Sequence, residues 1–373
     1  MAYRRVAMVA GVLAALLGGS CERSAGPARI AYPAPWVGRA LGRVAQAAID
    51  AWGASRVAEL PGATAPDVPF ARGYAGDVAY AESVVTTPRL AAAVGPQSSL
   101  ATLLVAPVYA EAGIPLIAAT ATSDSLDRPP WVFQLAPKSA VEGAFIARFV
   151  LERFGARRVT LFYLDSDEYG LSLRDGVVRA LLGRGVTPAD QVGVIETADF
   201  PRRVDESLRR TVPDAVVVAA RSPEAARILR ALRARLRNVP VVAGDGVQLD
   251  APFFASAGAA AADVYAVAWW DPASADSRSR DFAERFQRTA HRTPSPADAM
   301  FYDAIMVAAE AVREAGPRPE AVRRWLGALG TTHPPFDGVT GPISFAPDRR
   351  VNLRMMQAAG GAAAAVDWPE RGR

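Results

Sequence analysis

Two clusters of hydroxyl residues, each following an apolar run, are the residues of this chain best suited to binding chemistry. Ser98 and Ser99 follow the run RLAAAVG, and Thr120 and Thr122 follow the run IPLIAA. If both runs are strands of one parallel sheet, both clusters lie at the sheet edge where open α/β sheets bind ligands. Hydroxyls beside the free amides of a helix start suit an anion, so we predict a carboxylate site. Each cluster taken alone is also explained by a helix cap or a loop.

Short apolar runs alternate with helix-like periodicity along the chain, from RIAYPA to VPVVAGD. This alternation predicts an α/β fold with parallel sheets and helices on both faces. The alternation of strands and helices begins again near Lys138, after the proline-rich loop RPPWVFQLAP. This break favours two lobes. A single eight-stranded barrel is the alternative, and the irregular spacing disfavours it. Ser222, followed by Pro223, predicts a helix that begins with Ser222 as its cap.

Composition excludes several classes of protein. A chain of 373 residues with 51% hydrophobic and 21% charged residues is expected to fold into two domains. The net charge is +4, but the arginines are dispersed among acids and Lys138 is the only lysine, so nucleic-acid binding is not expected. The two histidines lack metal-ligand spacing, and nucleophile-elbow, phosphate-loop and dinucleotide motifs are missing. We therefore expect no enzyme, no cofactor and no metal.

The first residues predict export. Arg4 and Arg5, a following apolar run and small residues before Cys21 form a signal peptide over residues 1–21. LLGGSC resembles a lipoprotein processing site, although Leu17 lies one residue farther from the cysteine than usual. We expect a lipid anchor on Cys21, with ordinary cleavage nearby as the alternative. The mature chain is then expected in the periplasm or on the extracytoplasmic face of the membrane.

The stretch from Gly95 through AGIPLI to ATATS resembles the type I periplasmic solute-binding proteins, in particular the leucine, isoleucine and valine branch of ABC transporter substrate-binding proteins. FYLDSDEYGLSLRDG, VAGDG, FYDAIMVAAEAV and FDGVTGPISF match in the family's order, over residues 29–355. The resemblance implies two Rossmann-like doubly wound lobes, a three-strand hinge that closes on a solute, and an ABC permease as partner. The implied lobes comprise residues 28–137 plus 269–335 and residues 138–268 plus 336–373, with crossings near 137, 268 and 336.

The resemblance also implies roles for individual residues. In the family, the positions of Ser99 and Thr122 hold the ligand's α-carboxylate, and the position of Thr120 offers its carbonyl to the α-ammonium. The position of Asp245, usually glutamate, neutralises the ammonium, and the position of Tyr169 closes over the ligand. Charge matching supports these roles independently, because a zwitterion leaving water needs both charges paired. Aspartate in a GDG turn is also common for turn geometry alone.

The sequence says less about which ligand side chain is selected than about the carboxylate and ammonium sites. Arg221 stands where relatives with aliphatic ligands often carry an aromatic residue, and it could pair with a polar ligand group or point to solvent. Trp36 and Trp269 or Trp270 could line the side-chain wall, although packing explains each alone. Residues 54–76 replace a second strand expected in the family.

The predicted function is capture of an amino acid or close analogue and its delivery to the permease. The alternatives are a ligand sensor for a separate membrane partner and a degenerate regulatory lipoprotein that binds a protein partner.

Overall fold

The computed structural model describes residues 27–33, 38–53, 58–59, 74–195, 198–347, 349 and 351–368. The predicted signal peptide, Cys21 and Trp36 lie outside these residues. The helices are α1 (Arg39–Asp50), α2 (Tyr74–Val84), α3 (Ser99–Glu111), α4 (Ser139–Phe154), α5 (Glu168–Leu182), α6 (Phe200–Arg210), α7 (Ser222–Arg233), α8 (Ala251–Ala257), α9 (Ser277–Ala290), α10 (Pro296–Ala315) and α11 (Pro319–Ala328). The strands are β1 (Ala28–Ala31), β2 (Ala58–Glu59), β3 (Leu90–Val94), β4 (Leu116–Ala118), β5 (Val132–Gln134), β6 (Val159–Leu164), β7 (Asp190–Val194), β8 (Ala215–Ala219), β9 (Val241–Ala243), β10 (Val264–Ala268), β11 (Phe336–Gly338), β12 (Gly341–Ile343), β13 (Arg354–Ala359) and β14 (Ala362–Ala365).

The first sheet has five parallel strands in the order β2-β1-β3-β4-β5. The strand order reverses between β1 and β3, because the chain adds β2 on one side of β1 and β3 on the other. Such a switch point opens a crevice at the carboxyl ends of the two strands. Residues 95–99, which follow β3, border this crevice.

The second sheet has seven strands in the order β14-β13-β10-β9-β8-β6-β7. Strands β6 to β10 are parallel, and β13 and β14 join antiparallel at one edge. Its switch point lies between β6 and β8, so residues 165–169 and 220–222 border a second crevice. The fold is the predicted one: α/β, with doubly wound sheets.

The apolar content of the strands explains why they are found from sequence. All residues of β3, β8 and β10 are buried, as parallel strands covered on both faces require, and each forms an unbroken apolar run. Among the described residues, no helix is both long and apolar enough to span a bilayer.

The chain passes between the sheets in three places. Two passages are residues 135–138, after β5, and residues 269–276, after β10. Helices α10 and α11 return to the first sheet and pack on β3, and the antiparallel hairpin β11-β12 packs on α10. The third passage therefore follows residue 343. We propose two lobes built on the two sheets, with this hairpin assigned to the first.

Helix α7 begins one residue earlier than a serine cap would place it. Arg221 is the N-cap, without a capping side chain, and Ser222 is the first helical residue, followed by Pro223. Ser222 Oγ instead accepts the N–H of Gln248 at 3.1 Å. The prediction that Ser222 caps the helix was therefore wrong, because its hydroxyl has a partner in the next loop of the sheet.

Asp303 of α10 holds the β11-β12 hairpin. It is fully buried and accepts the N–H of Val339 at 2.8 Å, the N–H of Thr340 at 2.8 Å and the Thr340 hydroxyl at 2.6 Å. We expect Asp303→Asn to lower the free energy of unfolding by about 2 kcal/mol, because an amide leaves a buried donor unpaired. Chemical denaturation measures this. Asp337→Asn, at an exposed position of the same hairpin, should have little effect, and equal losses for the two variants would contradict the assignment.

Candidate functional site

A cavity of about 450 Å³, here called the central cavity, lies between the carboxyl ends of the two sheets. This volume suits a small molecule. Its wall combines residues from both switch points with the passage after β10. The lining residues are Tyr74, Asp77, Pro96, Gln97, Ser98, Ser99, Ala101, Thr120, Tyr169, Arg221, Asp245, Gly246, Gln248, Ala268, Trp269, Pro296 and Ala297.

A second depression, of about 500 Å³, shares no lining residue with the central cavity. Its charged side chains pair with one another, as in Arg278 with Asp337 at 3.1 Å and Arg313 with Glu310 at 2.5 Å. These paired charges leave little to recognise a polar solute. The central cavity is the better candidate for a binding site.

Ser99 presents a hydrogen-bond donor to the central cavity. Ser98, and not Ser99, caps α3, since Ser98 Oγ accepts the N–H of Ala101 at 3.2 Å. Ser99 Oγ accepts the N–H of Thr122 and the N–H of Ser123, both at 3.2 Å. With both acceptor positions used, its hydroxyl hydrogen is left to donate, which suits an anionic oxygen.

The two threonines of the second cluster occupy different environments. Thr120 lies in the cavity wall, where its hydroxyl donates to the carbonyl of Gln97 at 2.8 Å. Thr122 is fully buried, and the Ser139 hydroxyl donates to its carbonyl oxygen at 3.0 Å and to its hydroxyl oxygen at 3.3 Å. The structure brings Ser99 and Thr120 together at the cavity. The contact of Thr122 with a ligand stays a prediction.

Asp245 and Tyr169 form the wall opposite Ser99. The Tyr169 hydroxyl accepts the N–H of Gly246, the residue after Asp245, at 2.9 Å. A Cβ at Gly246 would lie 2.7 Å from the Tyr169 ring, so the second glycine of the GDG turn allows this close approach. Burial raises the pKa of Asp245 to about 6, although hydrogen bonds from its neighbours oppose the rise.

Glu142, which the sequence reasoning missed, lies behind Asp245. It is fully buried in the first turn of α4, and its Oε1 accepts the backbone N–H of Asp245 at 2.8 Å. Burial and the nearby charge of Asp245 raise the pKa of Glu142 well above its usual value. Its signal in the sequence is a single carboxylate on the apolar face of AVEGAFIARFV.

Arg221 lines the central cavity with its charge already matched. It forms an ion pair with Asp167 at 2.7 Å, and the Asp167 side chain is only 5% exposed. Burial raises the pKa of Asp167, and the charge of Arg221 offsets part of the rise. An acidic ligand group is therefore not required to neutralise Arg221.

The candidate tryptophans divide between site and core. Trp269 is 5% exposed and lines the central cavity, and its Nε1 has no hydrogen-bond partner among the described residues. Trp270 donates from Nε1 to Ser279 Oγ at 2.6 Å and packs edge-on against Phe282, so it belongs to the core. The prediction for Trp36 falls outside the described part of the chain.

Asp77 is a second residue that the sequence reasoning missed. It lies in the first turn of α2, is 6% exposed and lines the central cavity. With Arg221 paired to Asp167, Asp245 is an acid of the wall that favours a cationic group. Within the described ranges, no three His, Cys, Asp or Glu side chains are grouped so that they could hold a metal ion.

Three solved structures that share this fold are leucine-binding or transporter substrate-binding proteins. A leucine-binding protein, LivK, from Thermotoga maritima has a TM-score of 0.80 at 18% identity, with 91% of this chain and 97% of that chain covered. The substrate-binding protein LivJ of a branched-chain amino acid transporter from Streptococcus pneumoniae, in complex with isoleucine, has a TM-score of 0.75 at 22% identity, covering 91% and 99%. An ABC transporter substrate-binding protein from Desulfitobacterium hafniense, in complex with Leu, has a TM-score of 0.74 at 21% identity, covering 91% and 99%. These likenesses confirm the predicted type I periplasmic binding protein fold.

Sequence comparison identifies the family. No curated protein matches the chain in sequence. The profile described as periplasmic binding protein matches residues 74–363, which contain both hydroxyl clusters, Tyr169, Arg221 and Asp245. The chain therefore belongs to the periplasmic binding protein family, as the resemblance in its sequence predicted.

Proposed function

We propose that this protein captures an amino acid or close analogue in the central cavity and delivers it to an ABC permease. The observation that carries the proposal is that the central cavity has a group suited to an anion and another suited to a cation. Ser99, from the first sheet, offers a donor for a carboxylate, and Asp245, from the second sheet, offers a carboxylate for an ammonium group. One zwitterion would satisfy both ends. The solved relatives with bound isoleucine and leucine support this class of ligand.

The mechanism that we propose is closure of the two lobes on the ligand. A ligand that contacts Ser99 and Asp245 together stabilises the closed arrangement, since it gains both contacts only there. The three passages between the sheets, at residues 135–138, 269–276 and 344–353, would act as the hinge. The permease would recognise the closed, loaded form, with the protein held at the extracytoplasmic face through Cys21.

A thermal-shift screen of the mature chain against the proteinogenic amino acids, small amides and short carboxylates tests the proposal. A ligand that binds only the native state stabilises it by about 2.7 kcal/mol when the free ligand concentration is about 100 times the Kd. A clear shift with an amino acid supports capture. No shift with any compound, from folded protein freed of retained ligand by unfolding and refolding, would favour the degenerate, protein-binding role.

Ser99→Ala tests the carboxylate end. Loss of one hydrogen bond to a charged group should lower affinity about tenfold to a hundredfold, measured by isothermal titration calorimetry. The control is Ser98→Ala, which removes the α3 cap and should lower stability by about 1 kcal/mol while affinity is largely kept. Equal affinity losses for the two variants would place the carboxylate elsewhere along the helix start.

A further inference from the structure

The carboxyl group of Asp245, in the cavity wall, meets the buried carboxyl group of Glu142 behind it, and the pair has more oxygens than hydrogen-bond donors. Asp245 Oδ1 and Glu142 Oε2 are both buried without a hydrogen-bond partner in the described part of the chain. Glu142 Oε1 accepts the backbone N–H of Asp245 at 2.8 Å, which places the two acidic residues in direct contact. Two ionised carboxylates in this position would repel each other, and Glu142 is shielded from water that could screen its charge.

One hydrogen shared between the two side chains satisfies both unpartnered oxygens. We propose that Glu142 is a positioning residue that stays protonated in the empty site and donates to Asp245, and that a ligand's cationic group releases this proton. Only the O–H bond of the Glu142 carboxylic acid breaks, and its proton passes to solvent. The N–H donors of the cation then take the place of the shared hydrogen, and its positive charge offsets the negative charge that proton release adds. The release of the proton on ligand binding rests on the proposed function, whereas the protonation of Glu142 in the empty site does not.

The groups around Asp245 and Glu142 compensate only part of the cost of burying their negative charge. From α5, the Tyr169 hydroxyl accepts the N–H of Gly246, the residue after Asp245, and lowers the pKa of Asp245. The charge of Arg221, at the start of α7, lowers the pKa of Asp245. Arg221 is itself paired with Asp167 at 2.7 Å. Burial raises the pKa of both members of the pair, and the charge of Asp245 raises that of Glu142 further.

The ligand-free protein gives the first test, through Glu142→Gln. Glutamine keeps the acceptor for the Asp245 N–H and a donor toward its carboxyl but cannot lose a proton. A carboxyl whose pKa is raised by folding contributes stability below its ordinary pKa and loses it as pH rises through the raised value. The Tm of the wild type should therefore fall relative to that of Glu142→Gln, by about 3 °C or more, between about pH 5 and about pH 9.

The control for this measurement is Glu152→Gln, an exposed carboxylate on the same helix, whose Tm should track the wild type across the pH range. A constant Tm difference between wild type and Glu142→Gln would overturn the proposal. Glu142→Leu, which removes both hydrogen bonds, should lower affinity more than Glu142→Gln does, because Asp245 then loses its support.

Calorimetry gives the second test, with the proteinogenic amino acid that produces the largest thermal shift. Binding enthalpies in phosphate and Tris buffers should differ for the wild type, because Tris takes up the released proton with a larger heat. The difference should vanish in Glu142→Gln. Binding without proton release in the wild type would overturn the inference and leave the proposed function standing. If no amino acid binds, the proposed function fails, and the pH dependence of the Tm still decides the state of Glu142.

Discussion

Asp245→Asn is expected to abolish high-affinity ligand binding, with a loss of about a hundredfold or more. Asp245 is the carboxylate from the second sheet that lines the central cavity, and the charge of Arg221 beside it is matched by Asp167. An ammonium group placed beside an amide in a buried site loses its counter-ion, which is more damaging than the loss of a neutral hydrogen bond. Isothermal titration calorimetry with the amino acid identified by thermal shift measures the change.

The stability of the variant separates this effect from misfolding. Folding raises the pKa of Asp245 to about 6, so its contribution to stability is present below about pH 4 and is lost as pH rises through about 6. At neutral pH the neutral asparagine should leave the ligand-free protein at least as stable as the wild type. Asp250→Asn is the matched control, since Asp250 only caps α8 and asparagine caps equally well. Unchanged affinity in Asp245→Asn would remove the proposed ammonium site.

The position of the site could be predicted from the sequence because it depends on strand ends. Apolar runs are recognisable locally, and the carboxyl ends of parallel strands share one edge, so the sequence predicts Ser99 and Thr120 at the same edge, where both line the cavity. The resemblance supplied Asp245 and Tyr169 and added detail to the roles of the hydroxyl residues. Arg221 was predicted to contact the ligand, but its ion pair with Asp167 was not predicted. The two residues are far apart in the sequence, and only the fold brings them together.

The residues that sequence reasoning missed are those whose role depends on packing between elements. Glu142 lies on a helix in a different segment from Asp245, and only the contact between α4 and the turn after β9 brings them together. Asp77 adjoins residues 54–76, which differ from the family pattern. Thr122 was placed at the right sheet edge, yet its hydroxyl meets Ser139 because of the passage between lobes.

The same limit applies to the fold. Alternation of strands and helices predicted two parallel sheets, but not the antiparallel edge made by β13 and β14. The resemblance implied a third crossing near residue 336, and the β11-β12 hairpin that begins at this position packs on α10. Both features depend on pairing between distant segments, which local periodicity does not encode. The capping residue of α7 was missed by one position for a related reason, since Ser222 Oγ finds its partner in another loop.

Gly143→Ala is expected to destabilise the protein by about 3 kcal/mol or more. Gly143 of α4 and Gly176 of α5 face each other where the two helices cross. A Cβ on Gly143 would lie 2.4 Å from the carbonyl carbon of Gly176 and 2.4 Å from the nitrogen of Val177. These are backbone atoms and cannot rotate away, so the helices must separate. The helix propensity of alanine returns only about 1 kcal/mol. Chemical denaturation measures the balance.

The control for this prediction is Gly183→Ala, at the end of α5. A Cβ there would lie 3.4 Å from the Arg179 carbonyl oxygen, close to an ordinary contact, so stability should change little. Similar losses in both variants would show that the crossing is not the cause. Separation of the helices would also move Glu142, the neighbour of Gly143, away from Asp245. We therefore expect the Gly143→Ala protein that remains folded to bind its amino acid more weakly, because the packing of α4 on α5 also holds the acidic end of the cavity.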